Sequence, residues 1–112
     1  MKSNNIFKNI PDKLHEELFD DIVSNDGIKI QRIVSQGDTT PENEWYDQES
    51  DEWVIVLQGK ATISFENEDD IHLVLGEHIN IPAHKKHRVS WTSEDEQTIW
   101  IAVHYFTSHL HT

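Results

Sequence analysis

With 112 residues and no cysteine, the chain has room for one modest core and none for a separate nucleotide-binding domain; disulfides, thiolate metal sites and a catalytic thiol are excluded. Its 21 acids against 9 bases give a formal charge of −12, which argues against nucleic acid as a partner, because binding phosphates needs clustered cations. Met1 to Pro11 lacks the apolar core of a signal peptide and no apolar run approaches the ~20 residues of a membrane span, so a cytoplasmic protein with no membrane partner is expected.

Residues 1–27 are expected to form an N-terminal extension packing on the main domain or on a partner subunit. Within it, Pro11 to Val23 reads two ways. Leu14, Leu18 and Ile22 would share one face of a helix, whereas Leu18–Val23 would make an accessory strand. A short turn followed by a strand is favoured. From residue 28 to residue 106, short runs rich in Ile, Val, Trp and Phe alternate with turn signals, the pattern of an all-β sandwich or barrel. Strands are expected at Ile28–Ser35, Glu52–Gln58, Ala61–Glu66, Ile71–Leu75, Ile79–Pro82, His87–Thr92 and Thr98–Phe106. Gln58-Gly59-Lys60, Asn67–Asp70 and Ser93–Glu96 are the tight turns between them. Residues 107–112 form a C-terminal tail carrying His109 and His111.

Side-chain alternation separates these strands into two kinds. Ala61, Ile63 and Phe65 share a face opposite Thr62, Ser64 and Glu66, so that strand is wet on one side. In Glu52–Gln58 and in the last strand both faces are apolar. A small barrel buries only one of them within itself; the other needs the N-terminal segment or a second subunit, and a homodimer is expected.

Two pieces of the chain carry chemistry. Glu52-Trp53-Val54-Ile55-Val56-Leu57-Gln58-Gly59 is an acid, a strand and a glycine turn. Gly76 through Pro82 to His87 is a turn, a strand, a second turn and an imidazole opening a further strand. Each places a ligand-type side chain at the start of a strand, from which both could point into one pocket. His87 shares its strand parity with Val89 and Trp91 and so is expected to point inward. His72 and His78 fall on the polar parity of their strands. Lys85, Lys86 and Arg88 form a local cationic cluster around His87 that could steer an anion or be a solvated turn.

Glutamate, six residues and glycine, followed by glycine, five residues, proline and a histidine five positions on, resembles the paired motifs of the cupin superfamily. The resemblance covers about Ile28 to Phe106. The implied fold is a double-stranded β-helix of cupin or jelly-roll type with a short N-terminal extension, and the whole pattern is similar to a subgroup of small single-domain bacterial members without assigned activity. Of the family's four usual metal ligands, Glu52 and His87 carry over. The two upstream histidine positions hold Trp45 and Asp47 or, with a gap one residue shorter, Tyr46 and Gln48; His84 stands where the family often has glycine.

Asp47, at the second histidine position, could bind through oxygen, and His104, on the last strand, could approach His87 if its face is interior. Asp47 or Glu52 with His87 and His104 would suit iron, manganese, nickel or zinc. Two functions are compatible with this set. One is a metal-dependent enzyme on a small oxygenated or acidic substrate, with Tyr46 or His84 transferring a proton. The other is a metal-free binding module for a small sugar or acid.

Overall fold

The computed structural model describes residues 1–106. The tail with His109 and His111 lies outside the described residues. Eight strands follow one another in the chain: β1 (Leu18–Ser24), β2 (Ile28–Ser35), β3 (Asp51–Gln58), β4 (Ala61–Phe65), β5 (Ile71–Leu73), β6 (His78–Ile81), β7 (His87–Thr92) and β8 (Thr98–Tyr105). They form two antiparallel sheets, β1-β2-β8-β3-β6 and β5-β4-β7. The all-β architecture and the seven strands from residue 28 onward agree with the sequence pattern to within a residue or two at most ends. The ambiguous N-terminal segment resolves into an edge strand, β1, that pairs with β2 from Leu18↔Val34 to Ser24↔Lys29. No helix long and apolar enough to cross a membrane is present among the described residues.

The two sheets enclose the core. Val54, Val56, Trp100, Ala102 and Ile81 from the larger sheet meet Ala61, Ile63, Phe65 and Leu73 from the smaller one. Alternation accounts for the choice of residues: each strand sends every second side chain into this space. On the outer face of the larger sheet, Val34 and Ile99 are also buried. There the Arg32 guanidinium donates to the carbonyls of Ile6 (3.0 Å) and Lys8 (2.6 Å) and pairs with Asp20, holding the first residues against the sheet. Ile30, Trp53, Ile55, Ile101 and Val103, on the same outer face, stay half-buried.

Trp91 departs from its expected side. The β4–β7 register runs Thr62↔Trp91 and then Ile63↔Val89, so Ser90 is an extra residue on β7. A bulge of this kind reverses side-chain alternation beyond it. Val89 therefore lines the interior with His87, while Trp91 turns out and is 46% exposed.

The first motif glycine is required by geometry. Gly59 has φ +83°, and a Cβ there would lie 2.7 Å from the Thr98 Cα. The turn after β3 can close onto β8 only with no side chain at that position.

Candidate functional site

One row of residues across the inner face of the larger sheet organises the site. β2 pairs Lys29 with His104 of β8, and β8 pairs His104 with Glu52 of β3. Directly paired strand residues hold their Cβ atoms about 5 Å apart, so Lys29, His104 and Glu52 are successive neighbours. From the opposite sheet His87, the first residue of β7, reaches the end of this row: its Nε2 lies 3.2 Å from the Glu52 Oε1. Both side chains are nearly buried, at 6% and 12% exposure. These groups line a cavity of about 240 Å³ between the sheets, walled further by Tyr46, Gln48, Val54, Ile63, Ile81, Val89 and Trp100.

His87 is held by its backbone as well as its ring. Tyr46 and His87 form an isolated antiparallel bridge, with Tyr46 N donating to His87 O at 2.7 Å and His87 N to Tyr46 O at 3.2 Å. The Tyr46 and Phe65 rings flank the imidazole, with centroids 5.7 and 6.3 Å away. The His87 Nδ1 lies 2.8 Å from the Lys85 carbonyl oxygen, which can only accept, so Nδ1 carries a hydrogen. Nε2 then faces a carboxylate oxygen. Burial works against a charged ring here, but the hydrogen bond to Glu52, the Lys85 carbonyl and the Glu52 charge outweigh it and raise the His87 pKa. His104 is shifted the other way. Burial, helped by the nearby Lys29 and His87 charges and opposed by Glu52 and Asp21, lowers its pKa and favours a neutral imidazole.

The upstream positions are settled by alternation. Tyr46 and Gln48 line the cavity. Asp47 turns away and is bound to His84, with 2.8 Å between Asp47 Oδ1 and His84 Nδ1; both side chains are exposed. His84 adopts φ +63°, the left-handed conformation that glycine takes most readily, and its N–H donates to the Gln48 carbonyl at 2.8 Å. The Gln48 Oε1 is buried and has no hydrogen-bond partner among the described residues. A buried polar atom without a partner is costly and points to a missing one.

Of the expected site residues, the structure thus brings together Glu52, His87, His104 and Tyr46, and leaves Asp47 and His84 paired with each other outside the cavity wall. Among the described residues no three His, Asp or Glu side chains are already arranged as a metal cage. The cationic cluster beside His87 lies outside the cavity lining: Lys85 pairs with Glu68, Arg88 donates to the Thr40 carbonyl at 3.1 Å, and Lys86 is likewise absent from the wall. The cavity's lysine is Lys29, which the sequence reading passed over although it shares parity with Gln31 and Ile33 on β2. Glu17 also lines the cavity and was missed, because it precedes β1 and belongs to no motif.

Comparison with known proteins agrees with this geometry. Residues 31–104 match the cupin domain family, and the chain belongs to it. A protein from Ralstonia eutropha described as a "putative mannose-6-phosphate isomerase" is 38% identical and superposes with a TM-score of 0.90 over 96% of this chain and 100% of that one. A cupin superfamily protein from Desulfitobacterium hafniense (20% identity, TM-score 0.73, 88% and 84% coverage) shares the fold. So does an RmlC-like cupin with a double-stranded β-helix from Methanocaldococcus jannaschii (15%, 0.68, 86% and 85%). No curated protein matches.

Proposed function

We propose that this cupin is a cytoplasmic protein that takes a small oxygenated or acidic molecule into the cavity between its sheets and acts on it with a divalent transition metal held by Glu52 and His87. The His87 ring carries the reading. With Nδ1 committed to a carbonyl and Nε2 aimed at a carboxylate, the pair requires a cation on or between its atoms. A proton meets that requirement, and so does a metal ion. His104, favoured as a neutral imidazole, and the unpartnered Gln48 Oε1 supply further donors from the same cavity. This mixed nitrogen and oxygen set suits iron, manganese, nickel or zinc, and a bound ion would polarise a substrate oxygen as a Lewis acid. Lys29 would attract the acidic group of the substrate, and Tyr46, in the cavity wall, would exchange its proton. Asp47 would join the set only by releasing His84, and His84 would reach a substrate only at the mouth.

A second reading has its own support. The direct Glu52–His87 hydrogen bond needs no metal, and a proton-bridged pair suits a metal-free binding module for a small acid or sugar. The name carried by the Ralstonia relative offers a third possibility within the first reading, isomerisation of a sugar phosphate. Elemental analysis of tag-free protein purified without added metal separates the two main readings. Near-stoichiometric metal, lost in Glu52→Ala and His87→Ala, is the result expected. Metal-free protein that gains no thermal stability from any of the four ions would establish the binding module instead.

We propose further that two chains pair through the half-buried outer face of the larger sheet, around Ile55 and Ile101.

A further inference from the structure

The cavity is polar at two ends and mostly apolar between them. One end is the Lys29–His104–Glu52 row with His87. The middle is walled mostly by Val54, Ile63, Ile81, Val89 and Trp100, with Gln31 and Thr40 also in the lining; the Gln31 amide nitrogen donates to Asp21 at 2.9 Å and the Thr40 hydroxyl accepts from the Val89 N–H at 3.0 Å. The other end is Glu17, which lies outside the matched cupin segment. Its carboxylate accepts from the Ser35 hydroxyl, and Ser35, fully buried at the end of β2, accepts from the Trp100 indole N–H at 3.3 Å. The relay fixes Glu17 at the level of Trp100, four residues along β8 from His104, or about 13 Å at the rise of a strand. Ser35 is the only hydrogen-bond partner of the Glu17 side chain among the described residues, so the carboxyl retains capacity toward the cavity. Burial, reinforced by Asp38 and opposed by Ser35, raises its pKa.

We infer that the ligand of this cavity is a small carboxylic acid with an apolar body and a distal hydroxyl, its carboxylate directed to Lys29 and its hydroxyl hydrogen-bonded to Glu17, and not a sugar phosphate. The inference rests on the small-molecule reading above and narrows its substrate class. A sugar phosphate would lay several hydroxyls along this mostly apolar stretch, where the Gln31 amide nitrogen is held by Asp21 and the Thr40 hydroxyl by the Val89 N–H, and each polar group buried without a partner costs about 1–3 kcal/mol. Its dianionic phosphate would find one lysine, since Lys85 and Arg88 are engaged elsewhere. An apolar ring, by contrast, packs against Trp100 and the aliphatic wall.

Calorimetric titration with 4-hydroxyphenylacetate, phenylacetate and mannose 6-phosphate tests this. The hydroxylated acid should bind the wild-type protein about fivefold to tenfold more tightly than phenylacetate, the worth of one hydrogen bond. Glu17→Ala should abolish that difference between the two acids. Glu17→Gln, whose amide still pairs with Ser35 and with a hydroxyl, should keep part of it, and it decides the matter if the alanine variant does not fold. Equal affinity of the two acids for wild-type protein, or a difference that survives Glu17→Ala, would overturn the inference. Binding of mannose 6-phosphate alone would overturn it and leave the cavity's role intact. No binding by any of the three would overturn the inference and the small-molecule reading together.

Discussion

Glu52 and His87 meet at 3.2 Å although they come from different sheets. The contact therefore ties the two halves of the fold together inside the cavity, and its strength depends on protonation. The folded His87 pKa is raised above the ordinary value of about 6.5. A group with a raised folded pKa adds stability that is complete below its unfolded pKa and is lost as pH rises through the folded one. In chelator, wild-type protein should thus lose a contribution above about pH 6.5 that His87→Gln lacks. His104 acts in the opposite sense. Its lowered folded pKa gives a contribution that is complete above the unfolded value and lost as pH falls through the folded value. The difference between wild type and His87→Gln isolates the first effect, read as urea midpoints from pH 6 to pH 9. Glu52→Gln should cost about 2 kcal/mol below neutral pH, the worth of a charge-assisted hydrogen bond in a nearly buried place. Midpoints that run parallel with pH in all three proteins would contradict the protonated pair.

Gln48 presents the cost of a site waiting for a partner. Its buried Oε1 is unpaired among the described residues, so Gln48→Leu, of similar volume, should stabilise the metal-free protein by about 1 kcal/mol. If the oxygen serves a cation, the same change should weaken metal binding several-fold. Urea unfolding in chelator measures the first effect and calorimetric titration with zinc or manganese the second. A destabilised Gln48→Leu protein would show that the amide group has a structural role.

The spacing of the two motifs was enough to locate Glu52, Gly59 and His87, because a strand start and a glycine turn are local features with local chemistry. Gly59 is legible for the strongest reason: its φ and the approach of Thr98 admit no other residue. The upstream positions were not legible. Whether Tyr46 and Gln48 or Trp45 and Asp47 face inward depends on the Tyr46–His87 bridge, a pairing across 41 residues that no periodicity in the loop announces. The outward turn of Trp91 depends on one extra residue, Ser90, relative to β4. Lys29 and Glu17 belong to the site only because β2 and the segment before β1 are laid beside β8, and neither residue type signals that on its own.

Gly59→Ala should destabilise the protein by about 2 kcal/mol or more, combining a left-handed backbone with a methyl group driven into Thr98. The effect should belong to folding alone. At temperatures where the variant is folded, ligand and metal affinities should match the wild type, since the turn lies at the far end of β3 from Glu52. By contrast, Gly76→Ala meets nothing within 4 Å and suffers only the backbone penalty of φ +85°, so it should cost less. Urea denaturation of the two variants side by side checks the order; a larger loss at Gly76 would refute it.

The outer face of the larger sheet makes the last prediction. Register places Ile30, Val103 and Trp53 in one row across β2, β8 and β3, with Ile101 and Ile55 in the next. All five are half-buried in the single chain, whereas Val34 and Ile99, beside the segment pinned by Arg32, are buried. The N-terminal residues thus accompany only part of an apolar face. Two copies pairing through the remainder would need to cover about 800 Å² on each chain to form a stable dimer. Sedimentation equilibrium at micromolar concentration should give twice the mass of 13.1 kDa. Ile101→Glu should return it to the monomer mass, because an unpaired carboxylate in the centre of an apolar contact is not tolerated there. The same variant should retain ligand binding, since Ile101 points away from the cavity that Trp100 and His104 line. A monomeric wild type would leave this face solvated and remove the reason for its composition that pairing supplies.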